Sequence, residues 1–172
     1  LKLKVTKFPT NNLEQKPYKI CVDENGNVIS KAIIDTKLPH GDYEFIYYKE
    51  FDAVQGNQLA FGNTNIFTTD VPGNYSVKIM NITNDALCTT VANFTVRNSV
   101  IPTIVSAIPS ELVGFENENT IIITASPESA DYQYMINDIG WQNSNVFYNV
   151  AAGVYQVRVR NKFECGEAIA TF

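Results

Sequence analysis

The stretch GNYSVKIMN at residues 73–81 recurs as GVYQVRVRN at residues 153–161, and a cysteine follows each copy. In both copies the tyrosine and the next two alternate apolar residues fall on one face of an extended strand, while the polar residues between them fall on the other face. This alternation predicts a half-buried antiparallel strand in each copy. Because the copies are separated by about the length of a small domain, the repeat indicates two β modules in series.

The tyrosine that opens each copy has a second predicted role. In many β-sandwiches a tyrosine near the start of a late strand bonds back to the backbone a few residues upstream, which forms a tyrosine corner. The residues before Tyr75, Asp70-Val-Pro-Gly73, suit such a corner. We therefore predict Tyr75 and Tyr155 as structural corner residues.

Short runs of alternating apolar and polar residues, separated by Gly, Asn, Asp and Pro, continue along the whole chain. In the first part they predict seven strands, at residues 1–7, 18–22, 29–34, 43–49, 65–69, 75–81 and 88–96. In the second part they predict six, at residues 103–108, 120–125, 132–137, 145–148, 155–161 and 167–172. Seven short strands are the number of a simple sandwich, so we expect two tandem immunoglobulin-like antiparallel β-sandwiches.

The boundary between the modules is predicted near Pro102, in a short linker at residues 98–103. Proline cannot donate to a strand ladder, and it holds Ile101 extended. The expected domains are residues 1–100, an Ig-like sandwich, and residues 101–172, a smaller Ig-like module.

Composition disfavours several classes of function. The 172 residues carry a formal net charge of -5 and only 18% charged residues, so no basic surface is available to neutralise nucleic-acid phosphates or an anionic membrane. The sequence has no apolar run of about eighteen residues, so membrane insertion is not expected.

Catalytic constellations are also scarce. His40 is the only histidine and lies in a Pro-His-Gly turn without a serine elbow nearby, so a solvated turn residue is expected there. Glu111, Glu116 and Glu118 could supply the carboxylate pair of a glycoside hydrolase, but charged loop residues beside a strand are far commoner. The chain is therefore predicted not to be an enzyme and to need no cofactor.

Two features leave alternatives open. Asp23, Asn25 and Asn27 present oxygens at alternate positions and could bind Ca²⁺, although a tight hairpin turn around Gly26 explains the same residues. Trp141, with Tyr132 and Tyr134, could form an apolar platform for a sugar or a partner, with Phe147 and Tyr148 beside it. Packing of the tryptophan over the end of the sandwich is the alternative.

The chain has three cysteines. Cys21 and Cys88 fall in the first predicted module, and we expect a disulfide between them, which requires an oxidising compartment. The alternative is two buried free thiols. Cys165 then has no partner in its own module, so it is either free or paired with sequence outside the chain.

The segment from Tyr132 to Gly166 resembles the repeats of Bacteroidetes gliding-motility-associated surface adhesins. Such repeats read as a Y-x-Y-S-x-D-G-x-x-Q-x-S-x-x-F hairpin followed by a P-G-x-Y-x-V-x-V-x-D-x-x-G-C strand, and here they correspond to residues 132–147 and 150–166. The first module, with ICVDENG at residues 20–26, resembles the Ig-like module that often precedes the repeat. The sequence departs from the pattern at Ala151-Ala152 and at Asn161-Lys162.

This resemblance implies a stalk or presentation segment of a secreted cell-surface protein that acts in adhesion or gliding motility. It implies export by the type IX secretion system and attachment to the outer membrane, with the rest of the same protein and the secretion machinery as partners. The sorting domain that the family carries is not part of these residues, so we interpret the chain as a segment of a longer protein. A carbohydrate- or protein-binding module of a secreted protein is the alternative function.

Overall fold

The chain is all β in a computed structural model that describes residues 8–39, 41–83, 88–109 and 119–172. Those residues form fourteen strands and no helix. The strands are β1 (Tyr18–Val22), β2 (Val28–Ser30), β3 (Ala32–Asp35), β4 (Tyr43–Lys49), β5 (Gln58–Gly62), β6 (Ile66–Thr69), β7 (Gly73–Asn81), β8 (Thr89–Val100), β9 (Thr103–Pro109), β10 (Ile121–Ser126), β11 (Tyr132–Ile136), β12 (Val146–Phe147), β13 (Gln156–Asn161) and β14 (Glu167–Thr171). The predicted strand at residues 1–7 lies outside the described residues, as do His40, Glu111, Glu116 and Glu118.

Two compact units emerge from the contacts between residues. The first comprises Leu1–Ile20 and Ser30–Asn98, and the second comprises Cys21–Ile29 and Ser99–Phe172. Residues 21–29, which the sequence assigns to the first module, thus group with the second unit. The predicted linker is also shorter than expected, because β8 continues to Val100 and only Ile101 and Pro102 separate it from β9.

Four sheets make up the two units. One sheet has the strand order β2-β1-β8-β7-β4-β5, and a two-stranded sheet pairs β3 with β6. The other two sheets, β12-β10-β9 and β11-β13-β14, belong to the second unit. In the second unit the strands pair antiparallel within both sheets, and side chains from both sheets share one core. That arrangement is a β-sandwich.

Two details of the strands differ from the sequence prediction. The predicted strand at residues 29–34 is two strands, β2 and β3, which belong to different sheets. Strand β5 is not among the predicted strands; it is an edge strand in which the apolar side chains of Leu59 and Phe61 are exposed.

Aromatic rings connect the two sheets in the core of the first unit. Phe67 of β6 stacks on Tyr47 of β4 with ring centroids 4.8 Å apart and also contacts Tyr75 of β7 at 5.9 Å. Tyr75 stacks in turn on Phe94 of β8 at 5.6 Å. Because Phe67 comes from the small sheet and the other rings come from the large one, these contacts hold the two sheets face to face.

The side chains that β7 buries in the core are those that the alternating sequence pattern predicts. Tyr75, Val77 and Ile79 are each at most 1% exposed. The Tyr75 hydroxyl donates to the Val71 carbonyl at 2.6 Å and shares a hydrogen bond of 3.1 Å with the Thr69 hydroxyl. This bond to a carbonyl four residues upstream is the arrangement of a tyrosine corner.

Gly73, two residues before Tyr75, lies where a side chain would collide with Lys49. Its φ is +144°, and a Cβ there would lie 2.5 Å from Nζ of Lys49. The Lys49 ammonium needs that space because it lies 4.1 Å from the centre of the Tyr75 ring and donates to the Pro72 carbonyl at 3.0 Å. Glycine therefore lets a cation cover the buried tyrosine.

The second copy of the repeat forms the matching strand of the second unit. Val157 and Val159 of β13 are fully buried and pack with Ile123, Tyr132 and Ile136. The Tyr155 hydroxyl donates to the Ala151 carbonyl at 2.6 Å, again four residues upstream. The Tyr155 backbone also exchanges two hydrogen bonds with Phe172, which pairs the start of β13 with the end of β14.

Replacing Tyr75 by Phe tests how much the first corner stabilises its unit. The change leaves the ring in place but deprives the Val71 carbonyl of its buried donor, so we expect the free energy of unfolding to fall by about 1–2 kcal/mol. Urea denaturation followed by circular dichroism measures the loss. Tyr148→Phe, at a ring that is 72% exposed, is the matched control and should change stability by less than about 0.5 kcal/mol. Equal losses in the two variants would contradict a stabilising corner.

Candidate functional site

The outer face of the sheet β11-β13-β14 is the face opposite the core of the second unit. Along β13 the buried Val157 and Val159 alternate with Arg158 and Arg160, whose side chains therefore point to the outer face. The register pairs Gln133 with Arg160 and Met135 with Arg158, so these β11 residues share that face. Arg158 and Arg160 are thus neighbours on the same face of β13, and both side chains are partly buried.

Trp141 reaches this outer face by way of a tight turn after β11. Asn137, Asp138 and Gly140 all have positive φ, which reverses the chain. Gln142 then pairs with Tyr134 through two backbone hydrogen bonds of 2.8 and 3.0 Å. The turn places the Trp141 ring 4.2 Å from the Arg160 guanidinium and 5.8 Å from that of Arg158. Both distances are within the range of a cation–π interaction.

Hydrogen bonds hold the two guanidinium groups in different ways. Arg158 pairs with two carboxylates, through Nη2 to Glu167 Oε1 at 2.6 Å and through Nη1 to Asp138 Oδ1 at 3.3 Å. The bond to Glu167 raises the pKa of the Arg158 guanidinium. Arg160 instead donates from Nε and Nη2 to Gln133 Oε1 at 3.2 and 3.1 Å. Among the described residues, no carboxylate pairs with Arg160.

The predicted platform of Trp141, Tyr132 and Tyr134 does not form. Tyr132 is 1% exposed and belongs to the core, where burial raises the pKa of its hydroxyl, and Tyr134 packs against the same core. Both tyrosines therefore lie on the core face of β11, whereas Trp141 stacks on arginines of the outer face. Phe147 is also in the core, so it does not join Trp141, and Tyr148 is exposed.

The disulfide joins Cys21 to Cys165, with Cα atoms 5.4 Å apart, and the predicted pairing of Cys21 with Cys88 is wrong. Strand β8 explains why. The Ile101 N–H, just beyond the end of β8, donates to the Val22 carbonyl at 3.2 Å, so Cys21 lies near that end. Cys88 directly precedes the opposite end of this twelve-residue strand. Cys88 is a free thiol.

The Asp23 turn is closed by its own hydrogen bonds. Asp23 Oδ1 accepts from the backbone N–H groups of Asn25 and Asn27 at 2.9 and 2.8 Å, and Oδ2 accepts from the Asn27 side chain at 2.8 Å. The Asn27 side chain, followed by its backbone, holds the pKa of the Asp23 carboxyl below its usual value. Gly26 supplies the positive φ of 83° that the hairpin requires. In the described ranges, no three His, Cys, Asp or Glu side chains cluster as metal ligands would.

An apolar cavity of about 480 Å³ lies at one end of the second unit. Its walls include Ala107, Ile121, Val150, Tyr155 and Phe172. The sequence gives no local signal for this cavity, because its walls come from strands and loops that are far apart in the chain.

Comparison with known proteins gives similarity of fold only. No protein family model matches the chain, and no curated protein matches it in sequence. The fibronectin(III)-like modules of Clostridium thermocellum CbhA are 13% identical, with 93% of this chain and 92% of that chain covered and a TM-score of 0.47. The N-terminal four Ig domains of Dscam1 isoform 8.4 are 16% identical, with a TM-score of 0.34. That match covers 96% of this chain but only 44% of the Dscam1 chain. The described residues also contain no helix suited to crossing a bilayer.

Replacing Asp23 by Asn should change how stability depends on pH. Because the folded state lowers the pKa of Asp23, the carboxylate stabilises the fold above its unfolded pKa of about 3.9, and this contribution is lost as the pH falls through the lower folded pKa. We expect the wild type to be more stable than the variant from pH 7 to about pH 5, and the difference to shrink below about pH 4. Urea denaturation at each pH measures it.

Glu24→Gln is the control for this measurement, because it removes the same charge from the same turn. A difference that persists unchanged to pH 3, or the same pH dependence in the control, would contradict the role of the Asp23 hydrogen bonds.

Proposed function

We propose that the chain is a non-catalytic presentation segment of an exported bacterial surface protein. In this role its two units act as a stalk that holds other parts of the protein at a distance from the membrane. The function requires rigid, durable modules rather than a reactive centre.

The observation that carries this proposal is the disulfide between Cys21 and Cys165. Disulfides persist in oxidising compartments such as the bacterial periplasm and the cell surface. This bond spans 144 residues of sequence, so it constrains nearly the whole unfolded chain. The chain-entropy model gives about 5 kcal/mol of stabilisation for a loop of that length. Such a bond suits a protein that must stay folded outside the cell.

The surface role rests on the resemblance of the second unit to gliding-motility adhesin repeats. The first motif of that repeat spans β11, the turn to Trp141 and β12, and the second motif spans β13. We propose on this basis export by the type IX secretion system, attachment to the outer membrane and a part in adhesion or gliding motility. The partners would be the rest of the same protein and the secretion and attachment machinery.

Exchanging the chain for an unrelated spacer tests this function. In the bacterium that produces the full-length protein, we expect deletion of the segment to reduce surface adhesion. Replacement by two unrelated β-sandwich modules of similar length should restore it, because a stalk supplies distance and stiffness rather than specific contacts. Surface labelling confirms equal display of each version. Adhesion that the spacer fails to restore, at equal display, would contradict a presentation role.

A second candidate function is carbohydrate or protein binding by the outer face of the second unit. The specific observation is the stack of Trp141 on Arg160, in which an aromatic face lies beside a guanidinium that is not neutralised by a carboxylate among the described residues. Tryptophan rings stack on apolar ligand faces, and a guanidinium donates hydrogen bonds to hydroxyl or carboxylate oxygens.

Substitution of Trp141 by Ala tests binding. On an array of neutral and acidic polysaccharides, a binding module should lose at least about ten-fold in affinity with this variant, since stacking and orientation of Arg160 are both removed. Ile139→Ala, at an exposed residue of the same turn, is the matched control and should bind like the wild type. Circular dichroism checks the fold. Unchanged binding by Trp141→Ala, or no binding by the wild type, would reject this candidate.

A further inference from the structure

The Cys21–Cys165 bond divides the chain into a closed loop and two short tails. The loop contains residues 22–164, which include every strand from β2 to β13. Only residues 1–20 and 166–172 lie outside the loop. Of the described strands, these tails contain all of β14 and the first three residues of β1. The covalent path from one end of the chain to the other therefore has a shortcut across the disulfide.

We propose that this disulfide is a mechanical bypass that prevents residues 22–164 from being stretched out when the chain is pulled. A pulling force that enters at one end reaches a cysteine, crosses the sulfur–sulfur bond and leaves through the other tail. Force on the tails first loads the contacts that β1 and β14 make with neighbouring strands. Once the tails have detached, the backbone of the loop carries no tension while the bond is intact. This inference rests on the proposed function, because a stalk of a surface protein is a part that would be pulled.

Chain geometry gives the size of the effect. An extended chain spans about 3.3–3.6 Å per residue, so 172 residues without the bond can reach about 600 Å. With the bond, only the two tails can extend, and their combined limit is about 100 Å. The bond thus reduces the maximum extension about six-fold. Complete mechanical unfolding of the loop is impossible unless the disulfide is reduced first.

The surroundings of the bond shield one of its two cysteines from solvent. Cys21 is 6% exposed and is the fourth residue of β1, so its sulfur has little contact with solvent. Cys165 follows a turn in which Asn161 accepts the Phe163 N–H through its side chain at 2.9 Å and the Glu164 N–H through its carbonyl at 2.8 Å. Cys165 is partly exposed, so a reductant can reach the bond from that side, whereas attack at the Cys21 sulfur is hindered.

Single-molecule force spectroscopy on the 172-residue chain, held by handles at its two ends, tests the bypass. We expect the oxidised protein to extend by no more than about 100 Å at forces that unfold β-sandwiches. A soluble phosphine reductant added while the chain is under tension should release a further length of about 500 Å. This second measurement needs no folding of a cysteine variant, so it remains informative if such a variant folds poorly.

Two variants complete the test. The double variant Cys21→Ser, Cys165→Ser should extend to about 600 Å without reductant. Cys88→Ser, which removes the free thiol, should behave like the wild type. Oxidised wild-type chains that extend well beyond about 100 Å, or a reductant step that adds no length, would overturn the proposal. Adhesion with the unrelated spacer is measured separately, so the bypass and the presentation role can fail independently.

Discussion

Strand β13 carries two chemically different faces, and the second unit depends on keeping them apart. Its core face has Val157 and Val159, which are fully buried, and its outer face has Arg158 and Arg160. A register slip of one residue would exchange the faces and bury two guanidinium groups, at a cost of several kcal/mol each. The tyrosine corner at the start of the strand and the pairing of Tyr155 with Phe172 hold the register in place. In the first unit, the Tyr75 corner and the alternating faces of β7 hold the register of that strand in the same way.

This constraint is local, and so much of the fold could be predicted from sequence. A side chain two residues from another shares its face whatever the rest of the protein does, so alternation identifies strands such as β4, β7, β11 and β13. It does not show where a chain changes sheets. Residues 29–34 contain no Gly or Pro that would mark a break, yet β2 and β3 belong to different sheets on either side of Lys31. Edge strand β5 was missed because its apolar residues face solvent, where no core dictates a pattern.

The site predictions depended on distant parts of the chain and were less successful. The pairing of Cys21 requires knowing that β1 lies near the Ile101 end of β8, which is a fact of sheet topology rather than of spacing. The aromatic platform failed for a reason that was visible in the sequence. Tyr132 and Tyr134 have the same parity as Ile136, which places all three on the core face of β11. The partners of Trp141 could have been sought instead among the polar residues of β13.

The energetics of the outer face separate the two candidate functions. The pairs that Arg158 makes with Asp138 and Glu167 are partly exposed, and such pairs contribute at most about 1 kcal/mol each. An exposed cation–π contact between Trp141 and Arg160 adds about 0.5–1 kcal/mol. The disulfide alone contributes several times more by restricting the unfolded chain. A stalk therefore needs the core, the tyrosine corners and the Cys21–Cys165 bond, but it has little need of the Trp141 group. That group is the feature of the second unit that a purely mechanical role explains least, so it is the part of the molecule where recognition of a ligand would reside.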